Sequence, residues 1–214
     1  MAGFLSLPLE LRSLIYKFLI TPHVINPINP WYADDISLLH PKLLYVSKSI
    51  SREYREIFYS EIRFSFEDLE SKSVVRFLDQ IGRENAGLIR YIYIDVLQVY
   101  PDSYSDEENM DEDSEQILRK IESDCTGLRI LTIDFEMAWG PLRRLQETNS
   151  KLPFYEVAIS VLNRRFRAIP SLQSIKVEIP ARGRWTKIIS EMEKNGWVIY
   201  ETGGIWPGNE GIEN

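Results

Sequence analysis

An eight-residue pattern that occurs three times along the chain is the strongest constraint on its fold. Each copy has the order apolar, two variable residues, apolar, variable, apolar, acidic, apolar. The copies are IRYIYIDV (89–96), LRILTIDF (128–135) and LQSIKVEI (172–179), and they begin 39 and 44 residues apart. Short segments in which apolar residues alternate with other residues are typical of strands with one buried face. The pattern therefore predicts three similar strands.

A helical pattern of apolar residues precedes each of these predicted strands. The stripes are Val74, Phe77, Leu78 and Ile81; then Ile117, Leu118 and Ile121; then Phe154, Val157, Ala158, Val161 and Leu162. A shorter fourth unit has Trp185, Ile188, Ile189 and Met192 on a helix, Gly196 as its C-terminal cap and WVIY (197–200) as a strand. Alternating helices and strands favour an α/β fold with a parallel sheet and right-handed crossovers.

Repetition of one helix–strand unit favours a stacked, solenoid-like arrangement with sequential strand order. The alternative is a compact doubly wound sheet, in which the strand order reverses. We predict the sequential order. The repeat domain is expected to span residues 61–202 and to be followed by a disordered tail at 203–214.

The first 60 residues follow a different plan and are predicted to form a helical module. LPLELRSLIYKFLI (7–20) reads as a short helix opened by Pro8, since proline fits the first helical turn. Its apolar residues fall on one face: Leu7, Leu11, Leu14, Ile15, Phe18 and Leu19. After a proline-rich connection (21–41), a second helix is predicted from the stripe Leu43, Val46, Ile50, Tyr54 and Ile57. A half-buried strand with Ile62, Phe64 and Phe66 follows it.

The charge of the chain is concentrated in one segment. The formal net charge is −7 and residues 101–115 contribute −8, so the rest of the chain carries +1. Such a density of like charges predicts an acidic mobile loop, placed at 100–114. The near-neutral remainder argues against a nucleic-acid partner, and no apolar run is long enough to predict a membrane span.

A single cysteine, Cys125, favours a reducing compartment, so we expect the protein in the cytoplasm or nucleus.

Three carboxylates in the repeats raise the question of catalysis. Asp95, Asp134 and Glu178 occupy the same position of the pattern and would line up across neighbouring strands, as in a small enzyme with a metal or an acid–base pair. The chain has only two histidines, His23 and His40, and no glycine-rich phosphate-binding turn follows the first strand. We therefore expect no enzyme and no cofactor or metal, with a carboxylate-row enzyme as the less favoured alternative.

The N-terminal segments resemble a known family. FLSLPLELRSLIYKFLI (4–20), followed by LLYVSKSISREYREIFYSEIRFSF (43–66), is similar to the F-box-like N-terminus of a large group of filamentous-fungal proteins. In that group an LPxELR helix precedes a helix ending in FYS and a strand. The repeats with an L-x-x-L-x-I core resemble irregular leucine-rich repeats. The resemblance implies an F-box-like helical module at 1–60, followed by a leucine-rich-repeat-like parallel sheet.

The resemblance also implies a function in ubiquitin transfer. F-box proteins present their first helices to a small adaptor subunit of a cullin-based ubiquitin ligase, and their repeats hold the substrate. The implied adaptor-facing residues are Leu7, Pro8, Leu11, Ile15, Leu43, Leu44 and Val46. The alternative is that these side chains pack on one another and on the first repeat, so that the helices only cap the repeat domain.

The strand pattern predicts where a protein substrate would bind. If the first, fourth and sixth positions face the core, the third, fifth and seventh face the opposite, open side of the sheet. The expected substrate-binding residues are Tyr91, Tyr93, Asp95, Thr132, Asp134, Lys176 and Glu178. Aromatic and acidic side chains suit a partner in which basic residues flank an apolar anchor. The simpler interpretation is that the acidic residues stay hydrated at strand ends and oppose edge pairing.

Overall fold

The computed structural model describes residues 3–20, 24–27, 40–67, 70–95, 99–100, 109–134, 154–179 and 186–201. The helices are α1 (Leu9–Ile20), α2 (Lys48–Glu61), α3 (Ser71–Ala86), α4 (Glu112–Asp124), α5 (Phe154–Arg167) and α6 (Thr186–Lys194), with 3₁₀ turns at Phe4–Ser6 and Pro41–Tyr45. The strands are β1 (Val24–Ile25), β2 (Arg63–Ser65), β3 (Tyr91–Ile94), β4 (Val99–Tyr100), β5 (Asn109–Met110), β6 (Ile130–Asp134), β7 (Ser174–Ile179) and β8 (Val198–Glu201).

Six of the strands form one parallel sheet in the order β1-β2-β3-β6-β7-β8. The order follows the chain, and β4 and β5 form a separate antiparallel hairpin. The sequential order is confirmed. Within the described strands there is no reversal of order, which is where the ligand crevice of a doubly wound sheet forms.

The helices cover one face of this sheet. Contacts join α2 to α3, α3 to α4, and α5 to α6, and an ion pair between Arg165 and Glu115 links α5 to α4. The side chains predicted to face the core are buried in β3 and β6, for example Ile92 and Leu131. Alternating burial along β6 and β7 leaves a second face that is only half-buried, the open face.

The N-terminal module shares the sheet and core of the repeats. The connection after α1 contains β1, a two-residue strand that the sequence pattern does not reveal, and β1 pairs in parallel with β2. One cluster of buried side chains runs from Tyr16 to Ile199. The module and the repeats therefore have a common hydrophobic core.

The continuous second helix predicted from Leu43 onward is wrong at its start. Residues 41–45 form a 3₁₀ turn, and α2 begins only after Ser47, whose side chain accepts a hydrogen bond from the Ile50 N–H at 3.3 Å. A serine that accepts this bond satisfies a backbone donor of the first turn and fixes the start of a helix. The helix therefore begins where Ser47 caps it, although the apolar periodicity that includes Val46 predicts an earlier start.

The mobile loop predicted at 100–114 is also corrected at its C-terminal end. Residues 109–110 form β5, and Asp111 caps α4 by accepting the Ser114 N–H at 3.1 Å. Glu112, Asp113 and Glu115 lie in the first turn, where negative charge interacts favourably with the helix dipole. The rest of the acidic segment (101–108) and the predicted tail (203–214) lie outside the described residues.

Two glycines allow turns that the fold requires. Gly196 has φ 78° and ends α6 as predicted, with the Gly196 N–H donating to the Glu193 carbonyl oxygen and the Trp197 N–H donating to that of Met192. Gly127, between α4 and β6, lies against Arg90, whose Nη1 donates to the Gly127 carbonyl oxygen at 2.7 Å. A methyl group at Gly127 would overlap the Arg90 guanidinium and the Gly87 carbonyl oxygen.

We expect Gly127→Ala to lower the free energy of unfolding by about 1–3 kcal/mol, the usual cost of overpacking. Chemical denaturation with circular dichroism measures the change. Gly3→Ala is the matched control, because nothing lies within 4 Å of its added methyl group. Equal stabilities of the two variants would contradict the close packing of Arg90 on Gly127.

Candidate interaction surfaces

An apolar stripe on α1 faces away from the protein. Its members are spaced three, four and seven residues from Leu11, so they lie on one helical face. They and their exposed fractions are Leu11 (47%), Leu14 (62%), Ile15 (40%) and Phe18 (81%). We call these four residues the outer stripe. A helix in a globular protein normally turns its apolar stripe towards the core, so this orientation is unusual.

The opposite face of α1 packs on α2. Tyr16 and Ile20 are buried, and the Tyr16 ring meets the Tyr54 ring edge to face at 5.5 Å between centroids. Arg12, one turn before Tyr16, forms a two-pronged pair with Glu53: Nε donates to Oε2 at 2.9 Å and Nη2 donates to Oε1 at 2.7 Å. Because α1 is apolar on both faces, the polar pair helps to decide which face turns inward.

The Arg12–Glu53 pair is supported by further hydrogen bonds. The Tyr16 hydroxyl donates to Glu53 at 3.2 Å, the Ser49 hydroxyl donates to Glu53 at 3.3 Å, and Arg12 also donates to the Leu7 carbonyl oxygen. The hydrogen bonds from Arg12 lower the pKa of Glu53 below its usual value, and those same bonds raise the pKa of Arg12. This network joins the start of α1 to the middle of α2.

The structure places the implied adaptor-facing residues in two groups. Pro8, Leu11, Ile15 and Val46 are exposed, whereas Leu7, Leu43 and Leu44 are half-buried. Leu43 and Leu44 pack against the core. Leu14, Phe18 and Tyr45 (88% exposed) are absent from the implied set. Leu14 and Phe18 could have been added from sequence, since they share the helical spacing of Leu11.

The open face of the sheet carries the residues predicted for substrate binding, in register. Tyr93 is paired with Thr132 and Thr132 with Lys176, and in the next row Asp134 is paired with Glu178. Lys176 lies over the ring of Tyr200, with Nζ 4.9 Å from the centroid. Tyr91, Thr132, Asp134, Lys176 and Glu178 are half-buried and therefore partly accessible. The predicted alignment is present for Tyr93, Thr132 and Lys176 across β3, β6 and β7, and for Asp134 and Glu178 across β6 and β7.

The accessibility expected for Tyr93 and Asp95 is wrong. Tyr93 is only 9% exposed and Asp95 only 3%. Tyr93 lies in β3, and Asp95 directly follows this strand. The Tyr93 hydroxyl donates to Asp134 Oδ2 at 2.9 Å. Burial, together with the charges of Asp134 and Glu178, raises the pKa of Tyr93 above its usual value.

Asp134 and Glu178 place two carboxylates side by side on adjacent strands. Burial raises the pKa of Glu178, and the nearby Asp134 raises it further, while Arg63 and Lys176 act in the opposite direction. Like charges opposite each other on neighbouring strands destabilise a sheet. Among the described residues no group of three or more His, Cys, Asp or Glu side chains has an arrangement that could hold a metal ion.

A groove and a buried cysteine lie apart from the outer stripe and the open face. A shallow groove of about 420 Å³ lies between α3 and α4 and is lined by Lys72, Val75, Arg76, Asp79, Gln80 and Gln116. Cys125 is buried, and burial raises the pKa of its thiol to about 12, which makes it a poor nucleophile.

No helix in the described part of the chain has the length and apolarity needed to cross a membrane.

We expect Arg12→Ala to loosen α1. Glu53 would lose both hydrogen bonds from the guanidinium, and the Leu7 carbonyl oxygen would lose the bond that Arg12 donates to it. Hydrogen exchange of the α1 amides should become faster than in the wild-type protein, while exchange in β6 and β7 stays unchanged. Arg52→Ala, which removes an exposed arginine from α2, is the matched control. Unchanged protection of α1 in the Arg12 variant would show that the apolar contacts of Tyr16 and Ile20 suffice.

We expect Glu178→Gln to stabilise the protein at pH 7, by about 1 kcal/mol or less for a partly accessible group. The folded pKa of Glu178 is above its usual value of 4.5, so ionisation opposes folding as the pH rises through the folded value. The difference from wild type should vanish near pH 4. Thermal melts between pH 4 and 8 test this, with the exposed Glu56→Gln as control. Destabilisation of Glu178→Gln at pH 7 would contradict it.

Comparisons with known proteins give no family assignment. No family model matches the chain, and no curated protein or solved structure matches it. The structural support for a function therefore comes from the outer stripe and the open face.

Proposed function

We propose that the protein is a non-enzymatic interaction subunit, an F-box-type substrate adaptor of a cullin-based ubiquitin ligase. In this proposal the outer stripe binds the small adaptor subunit of the ligase, and the open face of a leucine-rich-repeat-like sheet binds a protein substrate. The observation that carries the proposal is the exposure of the outer stripe on a helix whose other face is anchored.

The exposure of the outer stripe is costly unless a partner covers it. Full burial of a Leu, Ile or Phe side chain contributes about 1.5–3 kcal/mol relative to its exposed state. Phe18 is 81% exposed and Leu14 62%, so most of this contribution is still available to binding. Contiguous apolar patches on a protein surface commonly mark interaction sites.

The inner and outer faces of α1 support two different roles. Tyr16 and Ile20 pack on α2, which fits the alternative that the helices cap the repeat domain. That packing leaves Leu11 and Ile15 exposed, and both are among the residues that the F-box resemblance implies for adaptor binding. Capping and adaptor binding thus use opposite faces of the same helix, and one does not preclude the other.

The composition of the open face suits a basic protein segment. Asp134 and Glu178 supply negative charge at the carboxyl end of the strands, and Tyr91 supplies aromatic contact area at the other end. A cationic side chain placed beside the two carboxylates would relieve their mutual repulsion. Asp95 is too deeply buried to take part directly, so the accessible carboxylates of this face are Asp134 and Glu178.

Binding to the purified adaptor subunit of a filamentous-fungal cullin ligase tests the proposal. We expect the wild-type chain to bind, and Leu11→Asp combined with Ile15→Asp to weaken binding at least about tenfold, because both substitutions place charge in an apolar contact. Biolayer interferometry measures the dissociation constants.

Val198→Asp is the matched control, since Val198 is an exposed apolar residue (42%) in β8, at the far edge of the sheet from β1. Circular dichroism should show that all variants are folded, because the substituted side chains are exposed. A folded wild-type chain that does not bind the adaptor would reject the proposal. Equal loss of binding in the Val198 variant would reject the outer stripe as the contact.

A further inference from the structure

We propose that the groove between α3 and α4 binds an acidic, extended segment of a protein partner, with two carboxylates of that segment paired to Lys72 and Arg76. This inference does not depend on the proposed function. The side chains that line the groove belong to α3 and α4, whereas the outer stripe lies on α1 and the open face lies on the strands.

Two side-chain contacts define how α3 and α4 lie beside each other. Near the start of both helices the Ser71 hydroxyl donates to Asp113 Oδ1 at 2.7 Å, and about two turns later Lys120 pairs with Asp79. The residues joined by these contacts are 42 and 41 positions apart, so the two helices run parallel with almost no shift. The groove therefore follows both helices, and Gln116 of α4 lies between the two contacts.

The groove presents two positive charges that no carboxylate of the described chain neutralises. Among the described residues that line it, Asp79 is the only acid, and Asp79 forms an ion pair with Lys120. Lys72 and Arg76 are exposed, and neither forms an ion pair or a hydrogen bond with the described residues. Charge complementarity therefore favours an anionic partner.

The spacing of the two cations suits alternate residues of an extended peptide. Lys72 and Arg76 are four residues apart on α3, so their Cβ atoms lie about 5–6 Å from each other on one face. In an extended chain every second side chain points the same way, and such side chains are about 6.5–7 Å apart. Two acidic residues separated by one residue match this spacing, because the long cationic side chains can take up the small difference.

The two carboxamides of the groove favour an extended partner over a helical one. Gln80 lies one turn beyond Arg76, and Gln116 lines the groove from α4. A carboxamide donates and accepts hydrogen bonds, as a peptide group does. An extended segment has backbone N–H and C=O groups that can pair with these carboxamides, whereas a helix bonds such groups internally.

The length of the groove fits a short segment. From Lys72 to Gln80 the helix rises about 12 Å, which corresponds to about four residues of an extended chain. The two ion pairs would remain exposed to solvent, where such pairs contribute little to affinity. We therefore expect a weak contact, with a dissociation constant on the order of 100 micromolar at low salt.

Fluorescence anisotropy of a labelled synthetic peptide tests the proposal with the full chain. The probe is the peptide Ser-Gly-Asp-Val-Asp-Gly-Ser, and the comparison peptide has asparagine in place of both aspartates. We expect the acidic probe to bind about tenfold more tightly than the comparison peptide and to lose affinity as salt is added. The chain as a whole carries a net charge of −7, so general attraction would not favour an acidic probe. Equal binding of the two peptides would overturn the inference.

The two cations of the groove have a matched control elsewhere in the chain. Lys72→Gln combined with Arg76→Gln should weaken binding of the acidic probe about tenfold. The control is Lys48→Gln combined with Arg52→Gln, because Lys48 and Arg52 are an exposed lysine and arginine with the same spacing on α2. It should bind as the wild-type chain does. Circular dichroism should show that both variants are folded, since all four side chains are exposed. Equal losses in the two variants would overturn the groove as the binding site.

The carboxamides test whether the groove recognises an extended backbone. Gln80→Ala combined with Gln116→Ala should weaken binding of the acidic probe about threefold without changing its salt dependence, because the lost hydrogen bonds are uncharged. Unchanged affinity in this variant would overturn the extended form of the partner.

Two further ligands distinguish a peptide from other anions. Inorganic phosphate that displaces the probe with equal or higher affinity would overturn the proposal in favour of a simple anion site. A single-stranded oligothymidylate that binds more tightly than the probe would overturn it in favour of a nucleic-acid site. We expect both to bind more weakly than the acidic peptide, because neither offers peptide groups to the carboxamides.

Discussion

Strands β6 and β7 of the main sheet bury only one of their two sides, and the layered arrangement of the structure follows from that constraint. Every crossover between main-sheet strands leads to the next position in the sheet, so the helices form one layer on one face. The core lies between that layer and the sheet, where Ile92, Leu131 and Ile175 face inward. In β6 and β7 the opposite face stays half-buried and carries polar and acidic side chains at every second residue.

The N-terminal helices and strands close one end of the sheet and of its core. β1 and β2 extend the sheet by two short strands, and α1 and α2 supply the helical layer above them. Tyr16 and Ile20 close the core at this end. The Arg12–Glu53 pair fixes the rotation of α1 about its axis, so the same bonds that close the core also hold the outer stripe towards the solvent. A structural role and a binding role are thus divided between the two faces of one helix.

Much of the fold could be predicted because local patterns and tertiary packing agree. In the repeats the strand alternation around Ile133 and Val177 and the helical stripe around Leu118 correspond to buried positions. The errors arise where a local hydrogen bond competes with periodicity. Ser47 caps α2, which therefore begins later than the apolar stripe suggests. Asp111 caps α4, so that the end of the acidic segment forms the first turn of a helix. β1 has two residues, too few for any periodicity.

The sequence by itself determined the helix–strand repeat, the sequential sheet and the grouping of the α1 apolar residues on one face, because these depend on spacing along the chain. Tertiary structure decided which way each surface faces. Leu14 and Phe18 point to solvent because Arg12 and Tyr16 occupy the contact with α2. Asp95 is buried and Asp134 only half-buried although their patterns match and both strands are interior, because accessibility depends on the surrounding side chains rather than on the position in the pattern.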